Sequence, residues 1–474
     1  MYKPLLTDLF ELTMLAGYQQ EAMIEKPAAF ELFFRELPYQ GGYAVFAGLQ
    51  TALDYLAGLA FTAADVQYLA SLGLFDDAFL AFLKEFRFSG RVTAPREGEI
   101  VFAGEPLLTV EGTLAETQFV ETVLLNIINF QTLVATKAAR LAHAAGRSQV
   151  IEFGLRRAQG PDGAMSVARA AAIGGVRSTS NVLAGCVFDL PVKGTHAHSW
   201  VMAFPDELSA FRAYAECFPD HCVLLVDTYD TLSSGLPNSL TVARELRAAG
   251  HELVGVRLDS GDLAYLSRQA RRMFDDAGFP EVKIVASNEL DEFVINSIRS
   301  EGGLIDVYGV GTRLATCAGP GGGALGGVYK LVEFAGKPRM KMTSDPVKST
   351  LPGCKRWLRT KDGNGRFVID VLDLDHGRGI PFAPGEVAYD PKHPQRSKTV
   401  APECQVVDCR SVVMEDGQAV QPAPSLPAMA DYCAAQLQCL PEGCLRLINP
   451  HVYKVGISKQ LLDLREKLQQ EHSS

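Results

Sequence analysis

The sequence has no apolar run that reaches the roughly 18 residues a membrane helix needs. Its richest stretch, residues 123–134, is interrupted by Asn126, Asn129 and Gln131. No spanning helix and no membrane partner are therefore expected. Positive charge is not in excess either: 45 Lys and Arg stand against 55 Asp and Glu, a formal net charge of −10. A nucleic-acid binder carries a basic footprint. Any phosphate bound here must instead meet a local cluster of Arg. Cysteine is present but unpatterned: among Cys404, Cys409, Cys433, Cys439 and Cys444 no pair has the two-residue spacing of a zinc site. Reduced thiols are the expectation. The Gly-rich segment 319–327 lacks the Gly-Lys-Ser/Thr ending of a nucleotide phosphate loop and reads as a connection. Asp8 and Glu11 stand where an export signal would carry its apolar stretch, which suggests a cytoplasmic protein.

What is present suffices for a large folded core. The chain has 474 residues, 47% of them hydrophobic and 21% charged. That length suits two or three domains, or one large barrel with additions. Residues 1–145 read as a mixed α+β domain. Thr7 can cap a helix running to about residue 22, residues 30–34 form a strand, and short antiparallel strands fill 90–113. A long helix over about 115–144 closes the region. Residues 146–340 change character, with short apolar runs alternating with helical stretches: 150–153, 192–195, 222–226, 253–258, 283–286 and 307–310, then 327–332. Such a series indicates a parallel sheet covered on both sides, and six or seven units suggest an irregular (α/β) barrel. Residues 341–474 return to strand-like pieces, with two helices near 428–438 and 457–470. They are expected to pack back on the N-terminal domain.

Barrel enzymes carry their chemistry at the C-terminal ends of the strands. Those ends read, in order, Gly154-Leu155-Arg156-Arg157, His196-Ala197-His198-Ser199, Asp227-Thr228-Tyr229-Asp230, Arg257-Leu258-Asp259-Ser260-Gly261-Asp262, Ser287-Asn288 and Gly311-Thr312. Taken singly, each has an ordinary explanation: Asp-Ser-Gly-Asp as a turn with helix caps, Arg156 and Arg157 as surface residues. Together they gather three Arg, a His pair, several Asp and a Gly-Thr on one rim. Arg grips phosphate or carboxylate through a planar fork. Gly-Thr offers backbone N–H groups and a hydroxyl. The sum suits an anionic, phosphorylated sugar.

The run Glu152-Phe153-Gly154-Leu155-Arg156-Arg157-Ala158-Gln159-Gly160-Pro161-Asp162-Gly163 resembles the signature of the nicotinate phosphoribosyltransferase family. Ser180-Asn181-Val182-Leu183-Ala184-Gly185, Gly194-Thr195-His196-Ala197-His198-Ser199 and Val256-Arg257-Leu258-Asp259-Ser260-Gly261-Asp262 are similar to it as well. So are the opening Thr7-Asp8-Leu9-Phe10-Glu11-Leu12-Thr13-Met14 with Tyr18, and Gly327-Val328-Tyr329-Lys330-Leu331-Val332. The likeness runs in order from residue 5 to about 355.

The resemblance implies a type II phosphoribosyltransferase fold, an irregular barrel plus a second α+β domain built from the N- and C-terminal segments. It implies transfer of a phosphoribosyl group from 5-phosphoribosyl 1-diphosphate to nicotinate, with Mg²⁺, and with ATP hydrolysed through a phosphohistidine at His198. Nicotinate binding then falls to Tyr18, Phe153, Arg156, Thr195 and Arg257, and the phosphoribosyl group to Asp259, Gly311 and Thr312. A homodimer is implied, with Tyr18 donated to the neighbouring site. Two other readings stay open. One is a barrel metallohydrolase using His196 and His198; the other is a non-catalytic relative that keeps the fold.

Overall fold

The computed structural model describes residues 3–342, 350–375 and 382–473. The chain divides into two compact units. One is formed by residues 134–323, the other by residues 1–133 together with 324–474. The first division falls inside the helix Glu121–Ala145, upstream of the position expected from composition.

The 134–323 unit is built on five short parallel strands in the order Gln149–Glu152, Val307–Val310, Lys283–Ser287, Gly255–Leu258, Val223–Leu225. Val256, Leu258, Ile284, Ala286 and Tyr308 are fully buried. Strands covered on both faces need such continuous apolar runs. The ladder itself is open. Past the Gln149–Glu152 edge, Glu152 bridges Thr179 and Thr179 bridges Val192, each as a single parallel pair. The strand expected over 192–195 is reduced to that one residue, because residues 191–194 are exposed and have no face to bury. The circuit back to Val223–Leu225 is made by a side chain: Nε2 of His196 accepts the Leu225 N–H at 3.1 Å.

The strand Gly327–Phe334 departs from expectation. It does not continue the parallel series but lies antiparallel to Pro27–Phe34 in the other unit. Only Tyr329 and Val332 are fully covered along it, the one-sided burial that antiparallel sheets tolerate.

That second unit holds two large sheets and a two-stranded ribbon of Ala44–Val45 and Ile100–Val101. A seven-stranded antiparallel sheet draws on both chain ends, with Arg91–Pro95 seated between Leu108–Thr113 and Arg410–Glu415. A six-stranded sheet centres on Phe367–Leu374, antiparallel to Lys355–Lys361 and parallel to Val455–Ile457. This is the expected α+β domain made from N- and C-terminal segments. Its helices include Leu426–Cys439 and Lys459–Ser473. The first helix, Leu9–Gln20, starts without the Thr7 cap; Asp8 instead accepts the Thr122 hydroxyl at 2.9 Å. The helix expected over 115–144 comes as two, Leu114–Phe119 and Glu121–Ala145. The first is opened by a capping box of Thr113 and Glu116. Among the described residues the ten cysteines form no disulfide, and no helix is long and apolar enough to cross a membrane.

Candidate active site

Along the strand Gly255–Leu258 side chains alternate. Val256 and Leu258 go to the core, so Arg257 takes the other face. Its guanidinium is held on three sides. Nε donates to Ser287 Oγ at 2.9 Å, Nη1 to Thr195 Oγ1 at 2.8 Å, and Nη2 to Asp259 Oδ1 at 3.1 Å. Ser287, the last residue of its own strand, also donates a short hydrogen bond to Asp259 Oδ1. Arg257 lies 6.0 Å from the centre of the Phe153 ring. A fixed fork beside a hydroxyl and an aromatic face is matched to a flat ring bearing a carboxylate.

Asp227 fixes the segment that follows. Its Oδ2 accepts the Asp259 N–H at 2.8 Å and the Ser260 hydroxyl at 2.6 Å. Its Oδ1 is buried and has no hydrogen-bond partner among the described residues. Asp259 Oδ2 faces Nε2 of His198 at 3.7 Å.

The two histidines differ in how their rings are used. His196 is buried, and both nitrogens are occupied: Nε2 accepts from Leu225 and Nδ1 donates to Ala197 O at 3.3 Å. Burial pushes its pKa down to about 4, so the ring stays neutral. It has no nitrogen left for a metal or a phosphoryl group, which removes the His196/His198 ligand pair. His198 is 40% exposed. Its Nδ1 lies 3.1 Å from Thr228 Oγ1, and Nε2 faces Asp259 Oδ2 at 3.7 Å.

Glycines shape the space around Phe153. A Cβ at residue 309 would come within 2.5 Å of the Phe153 ring, and one at residue 154 within 2.5 Å of Ala315 Cβ. Next to Phe153 in the chain, buried Glu152 accepts the Gly154 N–H and the Thr179 hydroxyl. Burial raises the pKa of Glu152, against the lowering effect of both hydrogen bonds. At the neighbouring strand tip Asn288 and Glu289 take positive φ, 90° and 38°. Glu289 Oε1 accepts the Thr312 hydroxyl at 3.3 Å. Non-glycine residues held in that region mark local strain.

Phe153, Thr195, His198, Arg257 and Asp259 thus form one connected set. Gly311 packs against the Phe153 backbone, where an added Cβ would sit 3.1 Å from its carbonyl oxygen. Thr312 is tied to Glu289 and not to that set. Arg156 is exposed on the short turn Leu155–Arg157. Tyr18 lies half-buried on Leu9–Gln20, in the unit made from both chain ends. Asp262 is the cap of the Leu263–Asp276 helix, accepting the Tyr265 N–H at 2.8 Å. Sequence reasoning gave no role to Asp227, Thr228 or Ser287. Their signal was position, since each stands at the same end of a parallel strand as Arg257.

Known proteins resemble this chain along most of its length. Three family models match in order: the nicotinate phosphoribosyltransferase N-terminal domain over residues 5–129, the nicotinate phosphoribosyltransferase family over 148–362, and the corresponding C-terminal domain over 354–465. The nicotinate phosphoribosyltransferase of Bacillus subtilis (strain 168) is 43% identical over 459 residues, covering 96% of this chain and 92% of the relative. That of Homo sapiens is 38% identical, covering 98% and 96%. The crystal structure of human nicotinic acid phosphoribosyltransferase superposes with a TM-score of 0.87 at 36% identity, covering 98% of this chain and 99% of the other.

Proposed function

The chain belongs to the nicotinate phosphoribosyltransferase family, and on that premise we propose that it transfers the phosphoribosyl group of 5-phosphoribosyl 1-diphosphate to nicotinate. The products are nicotinate mononucleotide and diphosphate, in NAD biosynthesis. The ring nitrogen of nicotinate attacks the anomeric carbon as the bond to diphosphate breaks. No side-chain nucleophile is needed for that step, so the work is positioning and charge stabilisation. Arg257 and Thr195 receive the nicotinate carboxylate, Phe153 stacks on the ring, and Arg156 and Tyr18 complete the pocket. Asp259, Gly311 and Thr312 hold the phosphoribosyl group. Tyr18 is supplied by the second subunit of a homodimer.

The orphaned Oδ1 of Asp227 beside Asp259 suits a hard cation with oxygen ligands. Mg²⁺, arriving with the diphosphate, would screen the leaving group's charge there.

ATP hydrolysis is coupled through His198, and the observation that carries this assignment is the contrast between the two rings. With Nδ1 hydrogen-bonded to Thr228, the lone pair of Nε2 attacks the γ-phosphorus of ATP and ADP leaves. Water later takes the phosphoryl group as inorganic phosphate. Asp259 faces the ring and balances the charge it gains. ATP incubation is expected to give acid-labile, base-stable labelling that His198→Ala abolishes, with ATP-independent transfer surviving weakly. Labelling lost in His196→Ala and kept in His198→Ala overturns the assignment. A turnover assay with nicotinate, Mg²⁺, ATP and the phosphoribosyl donor tests the whole reading. Mixed dimers of Tyr18→Ala and Arg257→Ala subunits should regain about a quarter of the sites by random pairing.

A further inference from the structure

The unit built from both chain ends encloses a cavity of about 640 Å³, within the range of small-molecule sites. Its apolar floor includes Phe102 stacked on Tyr453, ring centres 4.0 Å apart, and Ile369 and Leu372 of the central strand. Its walls carry seven Lys and Arg against two carboxylates. That is a reversal of sign in an acidic chain.

Both carboxylates are already engaged. Glu31 pairs with Lys355 Nζ at 2.7 Å. Asp390 Oδ1 accepts the N–H groups of Lys392 and His393 at 2.8 and 3.0 Å. The cations are less satisfied. Lys392, Arg396, Lys398 and Lys454 form no ion pair among the described residues. Arg465 donates Nη1–H to Pro391 O at 2.6 Å, but its buried Nε has no hydrogen-bond partner among the described residues. Burial lowers the pKa of Arg465 and of Lys398, and Lys454 adds repulsion at Lys398. Like charges gathered in a partly covered site cost free energy that a bound anion offsets.

We propose that this cavity binds an organic phosphate of nucleotide size, its phosphate on Lys398, Lys454 and Arg465 and its flat apolar body over Phe102 and Tyr453. Inorganic phosphate alone leaves the floor bare, and a neutral planar molecule leaves the cations unmatched. Both fit worse than a molecule that carries the two together.

Calorimetric titration of the full-length protein with adenosine 5′-monophosphate, adenosine and inorganic phosphate tests this. The nucleotide should bind, with adenosine and phosphate each at least about tenfold weaker. Affinity for it should fall as salt is raised. Lys398→Met/Lys454→Met and, separately, Arg465→Met should each weaken it at least about tenfold, at unchanged melting temperature. Where the double variant melts early, the single Lys454→Met, at an exposed side chain, is read instead. Arg257→Ala should bind the nucleotide as the unsubstituted protein does. No binding to the unsubstituted protein, equal binding to the lysine variants, or loss in Arg257→Ala overturns the proposal; the last would place the nucleotide at the catalytic rim.

Discussion

The rim of one unit and the Arg359 network of the other handle charge in opposite ways. In the 134–323 unit the polar groups of the rim are partly exposed. Arg257 is 15% and Asp259 28% accessible, and their partners are hydroxyls and carboxylates that a substrate can displace. Around Arg359 in the other unit charge is sealed. Arg359 is 1% exposed and holds Asp370 Oδ2 at 2.7 Å, Glu99, and the Ile100 carbonyl at 2.7 Å. Asp370 also accepts from Trp357 Nε1 and Tyr453 OH, both at 2.8 Å. A buried group with every donor and acceptor matched has no room for a ligand and serves the fold alone. The barrel-like unit keeps one sealed cluster of its own, Glu292 with Lys137 and Arg140. Exposure, then, and not residue type, separates chemistry from architecture here.

The strongest way to break that contrast is Asp370→Ala. It strands Arg359 in the interior and should cost about 3–5 kcal/mol of stability, read by thermal unfolding. Protein that remains folded should keep its Michaelis constants. A variant of native melting temperature with lost turnover would show the sealed network to be catalytic. Next comes Arg257→Ala. The unsubstituted protein should prefer nicotinate to nicotinamide at least about a hundredfold, since an unpaired charge at such a site costs several kcal/mol. The variant should lose most of that preference with little change in melting temperature. An unchanged ratio places carboxylate recognition elsewhere.

His196 sharpens the comparison, being a sealed group inside the working unit. His196→Ala leaves the Leu225 N–H without its acceptor, a loss of about 1–3 kcal/mol, yet should leave phosphoryl labelling at His198 intact. The pH dependence has a definite sign. The ring's pKa falls from its ordinary 6.5 to about 4 on folding, so the unfolded chain takes up the proton first. Stability from this group is complete above pH 6.5 and drains as pH falls toward 4, by up to about 1.4 kcal/mol per unit. Melting curves across that window should steepen the decline for the unsubstituted protein relative to His196→Ala; parallel curves refute the account.

The smallest effect concerns Asn181. Its Oδ1 caps the Val182–Phe188 helix through the Ala184 N–H at 3.2 Å. Aspartate caps equally well, so Asn181→Asp keeps the cap while adding a charge at a buried position. The nicotinate Michaelis constant should rise by about tenfold or less.

Much of this was legible from the sequence, and the reasons are physical. Parallel strands covered on both faces leave apolar runs, and the polar residue that ends each run is where the chemistry sits; Arg257, Asp259 and His198 were found that way. The run at 327–332 misled because a strand's own composition does not say which neighbour it pairs with. The run at 192–195 misled because Pro191 and Gly194 flank a valine that no layer covers. The link from His196 to Leu225 spans segments 29 residues apart and replaces a strand pairing with an imidazole, for which no pattern exists. The Arg359 network was invisible for a related reason. Its members come from four separate stretches of chain, none with a spacing that betrays the others.

One consequence of the glycines around Phe153 remains. The ring cannot move toward residue 309 by more than the missing methyl group allows, because a Cβ there already intrudes at 2.5 Å. On the proposed stacking of nicotinate against Phe153, the room left for the guest is therefore gauged by a hydrogen atom on the strand behind it. Gly309→Ala would drive the ring forward and thin the slot, with no alteration to any side chain that touches the guest. A search for altered selectivity confined to the contacting side chains would leave the limiting dimension untouched.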